Sequence, residues 1–348
     1  MNAFSPLATL DVRTADLSDP AERGRLDAFV QAQPEASPFH TSAWSLGVQR
    51  GCGQRAHYLL AEHGKAIAGV LPLTEVRSPL FGSALVSAGF GVGGGVLGQG
   101  EAVLAEAALA LARRLSVSTV ELRGGPVPPG WTAREGTYAG FARALPATDE
   151  AILKAIPRKQ RAEVRRAQGF GLSVRHGRTA RDLADHYRVY SESVRNLGTP
   201  VFPRALFDAM LDEYGTDADI LTISKEGQPI ASVLTLYDKG TAYPYWGGGT
   251  TGARASRANE MMYYELMRHA ARRGCTRFDF GRSKFGTGAF AFKKNWGFEP
   301  QPLTYAFHGE ARKTNPMSPK YRLQVALWKK LPLWAANRVG PLVARGLG

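Results

Sequence analysis

The sequence predicts an α/β protein made of two tandem copies of one module, each a mixed, mostly antiparallel sheet flanked by helices. Three observations lead to this. The 348 residues are 44% apolar, enough for two ordinary domains with cores of their own. One order of five elements occurs twice along the chain. In each copy an amphipathic helix follows a glycine-rich run, as at a strand-to-helix turn.

The first copy opens with AHYLLAEHGKAIAGVLPLTEV (56–76), two apolar runs about a turn at Gly64. Its counterpart is ADILTISKEGQPIASVLTLYD (218–238), with the turn at Gly227. Both are hairpin signals, and IAGVLPL (67–73) echoes IASVLTL (230–236). A run ending in three glycines comes next, LVSAGFGVGGG (85–95) or TAYPYWGGG (241–249). The helices follow, EAVLAEAALALARRL (101–115) and ANEMMYYELMRHAARRG (258–274). Each runs into a short strand, STVELRGG (118–125) or CTRFDFGRS (275–283).

Hairpin, strand, glycine-rich turn, helix and strand describe a GNAT-like (N-acetyltransferase-type) module. A doubly wound nucleotide fold would alternate strand and helix from the start. The Pro-rich RGGPVPPGW (123–131) and a helix start at PATDEAILKAI (146–156) set the expected divisions. These are a first module over 1–145, a second over 146–310, and a tail over 311–348. WTAREGTYAGFARAL (131–145) reads as the closing strand pair of the first module.

Charge is distributed unevenly. The chain carries 44 Lys and Arg against 30 Asp and Glu, a net of +14. Residues 1–153 are slightly acidic, with 12 basic and 14 acidic side chains. KAIPRKQRAEVRR (154–166) holds six basic and one acidic, and 311–348 holds eight basic and none acidic. The excess therefore marks two basic sites, not a generally basic protein. Two cysteines, Cys52 and Cys275, sit in no C-x-x-C pair and predict a reducing compartment. The N-terminal stretch has no basic segment before an apolar core, and no window reaches 18 apolar residues. The expected location is cytoplasmic.

On a helix over 154–168, Lys154, Arg158, Arg161 and Arg165 share one face, flanked by Lys159 and Arg166. Only Glu163 compensates locally, so this face is expected to hold a phosphate-bearing ligand, with a solvated surface helix as the plainer reading. In SESVRNLGTPVFPRALFDAML (191–211), Asn196 and Thr199 either line a pocket or end one helix before the next. FDFGRSKFGTGAFAFKKNWGFEP (278–300) is the richest stretch. It puts Asp279 at a strand end, a common catalytic position in α/β folds. Arg282, Ser283 and Lys284 follow, then Phe292, Lys293 and Trp296. A lysine among aromatic rings can stabilise a developing oxyanion or bind phosphate, whereas the plainer reading pairs Asp279 with a nearby arginine.

Other chemistries find no footing. G-x-G-x-x-G occurs at Gly93, Gly95 and Gly98, but after a long antiparallel section, which speaks against a dinucleotide site. The acetyl-CoA pattern Q/R-x-x-G-x-G/A is matched cleanly neither at Gly95–Gly100 nor at Arg254–Asn259. There is no H-E-x-x-H, no paired Cys/His spacing and no G-x-S-x-G. The seven histidines are scattered, so no metal site is expected.

These residues resemble the FemAB/FemX aminoacyltransferases, which are built from two N-acetyltransferase-like domains. The resemblance rests on RKQRAEVRRA (158–167), YWGGG (245–249), ANEMMYYELM (258–267), DFG (279–281) and FKKNWG (292–297). HTSAWSLGVQR (40–50), around Trp44, matches the family's entry helix more weakly. PRKQRAEVRRA, NLGTPVFP, PKYRL and the terminal R-G-L-G resemble the FemAB-related proteins of PEP-CTERM/exosortase loci, which are encoded beside exopolysaccharide genes. The coiled-coil arm of some members is missing, and Gln49 and Arg50 stand where an acceptor-phosphate lysine is expected.

The resemblance implies transfer of an acyl or aminoacyl group to an amine or hydroxyl of a peptidoglycan or exopolysaccharide precursor. The activated donor would be aminoacyl-tRNA or acyl-CoA, with no tightly bound cofactor. Lys293 with Phe292 would stabilise the transition state, with Asp279 beside them. Arg158, Arg161 and Arg165 would hold phosphates of the precursor or of tRNA. Tyr245, Trp246 and Trp44 would contact substrate. Two alternatives stay open, an acyl-CoA-dependent N-acetyltransferase and a non-catalytic polysaccharide- or nucleic-acid-binding protein.

In the tail, Tyr321, Val325 and Trp328 form one helical stripe with Leu323, Leu327 and Leu331 beside it. Lys329, Lys330, Arg338 and Arg345 supply charge. The segment reads either as a helix docked on the fold or, over 320–345, as a peripheral contact with an anionic membrane.

Overall fold

The computed structural model describes residues 10–310 and 322–348. Tyr321 and residues 311–320 of the tail lie outside the described residues. The chain divides into two compact units. The first comprises residues 1–135, 304–313 and 346–348, and the second comprises 136–303 and 314–345.

In the first unit, β1 (Asp11–Thr14), α1 (Pro20–Ala32) and α2 (Ser42–Cys52) precede the hairpin of β2 (Arg55–His63) and β3 (Ala66–Ser78). Gly64 turns the hairpin at φ +59°. Then come β4 (Gly82–Ser87), the short β5 (Leu97–Gly98), α3 (Glu101–Arg114) and β6 (Val120–Arg123). The sheet runs β1-β2-β3-β4-β6, with β5 paired to β3. All pairs are antiparallel except β4 with β6, which meet only at Leu85/Val120 and Val86/Glu121. Leu104, Ala108, Leu111 and Ala112 of α3 pack on Leu59, Leu71, Leu73 and Leu85. That packing follows from one apolar face on the helix and alternating apolar residues on the strands.

The second unit repeats this order. It begins with the second half of β7 (Thr132–Ala144), followed by α4 (Asp149–Ala155), α5 (Arg158–Gln168), β8 (Ser173–Gly177), α6 (Ala180–Leu197) and α7 (Arg204–Tyr214). The hairpin of β9 (Ala218–Lys225) and β10 (Gln228–Asp238) turns at Gly227. β11 (Thr241–Gly249), α8 (Ala258–Arg272), β12 (Arg277–Lys284) and α9 (Gly288–Asn295) come next. The sheet order is β7-β12-β11-β10-β9-β8. Again the one parallel pair joins the strands on either side of the long helix, β11 and β12, and it has only two register positions, Thr241/Arg277 and Ala242/Phe278. Hairpin, strand, helix and strand therefore recur in the expected order, with a parallel pair at the same place in both units. Finally β13 (Gln301–His308) places Tyr305–His308 antiparallel to β6. α10 (Arg322–Lys330) and α11 (Leu333–Ala344) end the chain.

Three local expectations are corrected. Residues 131–145 are one strand, β7, not a closing pair, and their second half pairs with β12 of the second unit. The expected helix over 154–168 is broken, because Pro157 lacks an N–H and starts α5 from outside it. Lys154 consequently lies at the end of α4 and not on the basic face of α5. The glycines 247–249 are not a turn but the end of β11, paired with Val233, Ser232 and Ala231. They are glycines because neighbours crowd the strand. A Cβ on Gly248 would lie 2.2 Å from the Ser193 hydroxyl of α6, and one on Gly249 would lie 2.7 Å from the Ala253 Cβ.

Candidate functional site in the second unit

Two bulges shape the opening between β11 and β12. On β11, the register slips between Leu234 and Thr235 of its partner, so Tyr245 is the extra residue between Pro244 and Trp246. On β12, Phe280 and Gly281 together stand opposite the single Phe141 of β7, because Asp279 and Arg282 pair with Ala142 and Gly140. Gly281 takes φ +66°, a conformation glycine adopts without strain. Its N–H donates to Asp279 Oδ1 at 2.7 Å. Such bulges re-aim backbone groups next to sites. Here the carbonyls of Gly281 and Arg282 both accept from Lys293 Nζ, at 3.1 and 2.9 Å.

Lys293 comes from α9, a helix capped by Thr287, whose Oγ1 accepts the Phe290 N–H at 3.3 Å. Its ammonium also stands 5.4 Å from the centroid of the Phe141 ring. Burial pushes the Lys293 ammonium down to about 7. Asp279 opposes that shift and Arg282 adds to it. Burial likewise raises the Asp279 carboxyl, against the Gly281 N–H and the charges of Arg277 and Lys293. Among the described residues Asp279 makes no ion pair within 4.0 Å, and Arg277 and Lys293 act on it through their charge alone. Lys293, Asp279 and Arg282 are thus brought together, with the Arg282 guanidinium stacked on Tyr138 at 4.7 Å. Ser283 is buried next to them in sequence, and its Oγ has no hydrogen-bond partner. The Lys284 carbonyl accepts from Thr287 Oγ1, a contact that holds the start of α9.

Aromatic rings of the same unit pack on one another. Phe292 lies 5.5 Å from Tyr263 and 6.1 Å from Trp296. Trp246 is buried edge-on against Phe207 and Tyr245, at 5.4 and 4.7 Å. Tyr263 was not singled out from sequence, where it is one apolar position of an amphipathic helix. Its ring stands on Phe280 at 4.9 Å, and a Cβ on Gly247 would lie 3.4 Å from its hydroxyl. Burial raises that hydroxyl to about 12.

The basic helix α5 lies beside α8. Glu163 joins Arg166 and, across the helices, Arg257, which precedes α8 in a left-handed conformation at φ +54°. Arg158 and Arg165 are exposed and Arg161 is half-buried, and none has an ion-pair partner among the described residues. Asn196 Nδ2 donates to Thr251 Oγ1 at 3.2 Å, and Glu192 of the same turn accepts the Thr251 N–H at 2.9 Å. These contacts pin the segment leading into α8. The Thr199 N–H closes the end of α6 on the Val194 carbonyl at 2.8 Å, the capping role. Trp44 stands in the first unit, fully buried. It meets Phe39 edge-on at 4.8 Å and donates to the Gly89 carbonyl at 3.1 Å, so its ring is core.

The histidines are less scattered than their sequence positions suggest. His176, Asp219 and His269 bring their ligand atoms within 4.8 Å of one another. Asp219 accepts from the Tyr237 hydroxyl at 2.9 Å and pairs with His269 Nε2 at 2.8 Å. The two imidazoles stack with centroids 3.8 Å apart, and Arg273 reaches 4.0 Å from Asp219. Parallel rings beside a guanidinium suit a polar packing cluster better than a dication.

Strand pairing that stops after two positions and a bulge on each arm thus mark the β11–β12 opening of the second unit. Residues 156–294 match the acetyltransferase (GNAT) domain family. Among solved structures, the chain is similar to FemX, with TM-score 0.63 at 14% identity over 81% of this chain and 95% of that one. A tandem GNAT protein of the clavulanic acid biosynthesis pathway gives TM-score 0.57 at 13% identity, over 86% and 98%. The C-terminal domain of an Agrobacterium fabrum protein described as a lysylphosphatidylglycerol synthetase gives 0.56 at 15% identity, over 84% and 93%. These likenesses establish the tandem GNAT fold. No curated protein matches the chain in sequence.

Proposed function

We propose that the second unit transfers an acyl or aminoacyl group to an amine or hydroxyl of a phosphate-bearing cell-envelope precursor. The observation that carries this reading is Lys293, a half-buried amine held on two bulge carbonyls beside Asp279. The acceptor attacks the acyl carbonyl carbon directly. Asp279 takes the acceptor's proton, Lys293 faces the oxyanion of the tetrahedral intermediate, and the donor's oxygen or sulfur leaves with the electron pair. No covalent nucleophile is required, and orientation supplies much of the rate. Arg158, Arg161 and Arg165 bind precursor or donor phosphates. FemX and the lysylphosphatidylglycerol synthetase, by their names and fold, favour an aminoacyl donor.

A second reading takes acyl-CoA as donor. The match to the acetyltransferase domain favours it, as does the position of Arg254 and Arg257 at the N-terminus of α8, where anions bind well. Incubating the purified protein with aminoacyl-tRNA or acyl-CoA decides between donors, through protection from thermal unfolding. Mass spectrometry of envelope polysaccharide and peptidoglycan, with and without the protein, tests the reaction. A mass increment that depends on Lys293 supports the proposal, and an unchanged profile overturns it.

A further inference from the structure

We infer that the outer face of α10 and α11 is a docking surface for an anionic phospholipid bilayer, on which the protein lies without crossing it. The two helices divide their residues sharply. On α11, Ala336, Gly340 and Ala344 recur every four residues and are buried. A Cβ on Gly340 would lie 3.0 Å from the Val201 backbone nitrogen, so this stripe is small because it packs closely. Asn337 adds a 3.3 Å bond to Ser191 of α6. On α10, Val325 covers Gly198 at the end of α6, where a Cβ would meet its Cγ1 at 2.5 Å. Arg195 of α6 reaches the Lys329 and Leu331 carbonyls. Both helices are therefore docked on the fold by their inner faces.

The outer faces are large, apolar and basic. Trp334, Arg338, Leu342 and Arg345 follow one another at helical spacing on α11 and its C-cap, and Leu323, Leu327 and Lys330 do so on α10. Trp334 is 73% exposed, Leu323 70%, Leu342 61% and Leu327 57%. Exposed leucines in such numbers are unusual for two short helices that already have a packed side.

The charge selects the partner. Lys330, Arg338 and Arg345 stand among these apolar groups, and the tail sequence carries no acidic side chain, so a neutral apolar groove would leave the cations unmatched. A second copy of this face would set cation against cation. Trp and Leu among Lys and Arg match the headgroup region of an anionic leaflet, with rings and methyls at the acyl boundary and cations at phosphate. Among the described residues no helix is long and apolar enough to cross a membrane, which agrees with binding in the interfacial plane. This inference stands apart from the transfer reaction, and its test reads no catalysis.

The test is flotation of the full chain with phosphatidylcholine vesicles, with and without phosphatidylglycerol. The protein is expected to float with the anionic vesicles alone and to be released by salt. Trp334→Glu combined with Leu342→Glu is expected to abolish flotation while leaving the unfolding temperature unchanged. Arg338→Ala and Lys330→Ala probe the charge without touching the apolar groups, each weakening binding roughly fivefold. No flotation with the anionic vesicles, equal flotation with both vesicle types, or flotation retained by the double variant overturns the inference. So does a lipid-free dimer that the same substitutions dissociate, because the face would then belong to a second copy.

Discussion

The Lys293 ammonium rests 2.9 Å from the Arg282 carbonyl, a group the chain exposes only because β12 bulges at Phe280 and Gly281. A regular strand would spend that carbonyl on the ladder to β7. The bulge thus turns backbone into a seat for a half-buried cation, near the carboxyl of Asp279. Lys293→Met keeps the stem and removes the charge. It is expected to lower kcat about 10²–10³-fold with KM nearly unchanged, as loss of an oxyanion donor does. A binding protein without catalysis would instead lose only modest affinity, which single-turnover transfer assays and ligand titration separate.

Because burial pushes Lys293 down to about 7, its proton leaves within the working range. The rate in kcat/KM is expected to fall as pH rises through about 7. Lys293→Arg keeps a cation that does not titrate there, so that limb is expected to vanish from the pH profile even where the maximal rate is lower. A limb near 7 that survives in the arginine variant would assign it to another group.

Arg158, Arg161 and Arg165 of α5 have no ion-pair partner of their own among the described residues, whereas Glu163 engages Arg166 and Arg257. Arg158→Ala, Arg161→Ala and Arg165→Ala are expected to raise the Kd for a phosphate-bearing precursor or tRNA about fivefold or more each, and to flatten the salt dependence. The exposure of Arg158 and Arg165 predicts stability changes within about 0.5 kcal/mol at those two positions. Titrations at two salt concentrations check both.

Much of this architecture is legible in the sequence, since hairpins, amphipathic helices and the repeat depend on local alternation. What escapes reading depends on approach through space. Gly247–Gly249 look like a turn, but their smallness answers in order to Val233 of β10, to Ser193 of α6 and to Ala253 before α8. Pro157 did carry a signal, and it divides what charge spacing alone joins into one helix. At the site, Asp279, Arg282 and Lys293 were identifiable from one strand–helix stretch. Tyr263 was not, because an aromatic on an amphipathic helix is ordinarily core. His176 and His269 meet across 93 residues of chain, a pairing no local pattern encodes. Trp44, which a motif match singles out, is held in the core of the first unit.

Gly248 offers a direct test of close packing. A Cβ there would lie 2.2 Å from Ser193 Oγ and 2.7 Å from its Cβ, inside any real contact. Gly248→Ala is expected to destabilise the second unit by about 1–3 kcal/mol, the cost of overpacking. Ser193→Gly removes both clashing atoms but weakens α6 by about 1 kcal/mol. The double variant is expected to be more stable than additivity allows, as read by denaturant titration.

Stability should also fall towards acid pH for a reason tied to two histidines, His186 wholly buried and His176 only partly so. His186 is wholly buried, bonds Ser232 through Nδ1 at 3.0 Å, and is pushed down to about 3. His176 is pushed down to about 4 by burial, with the charge of His269 adding. In the unfolded chain both would protonate near 6.5. Between that value and their folded values the unfolded state binds more protons, so stability is lost as pH falls through the window. The slope can reach about 1.4 kcal/mol per pH unit for each histidine. His186→Gln retains a hydrogen-bonding amide and cannot protonate there, so it is expected to shallow the dependence between pH 6.5 and 4. Denaturant midpoints across that range check this, and an unchanged slope would remove His186 from the acid response.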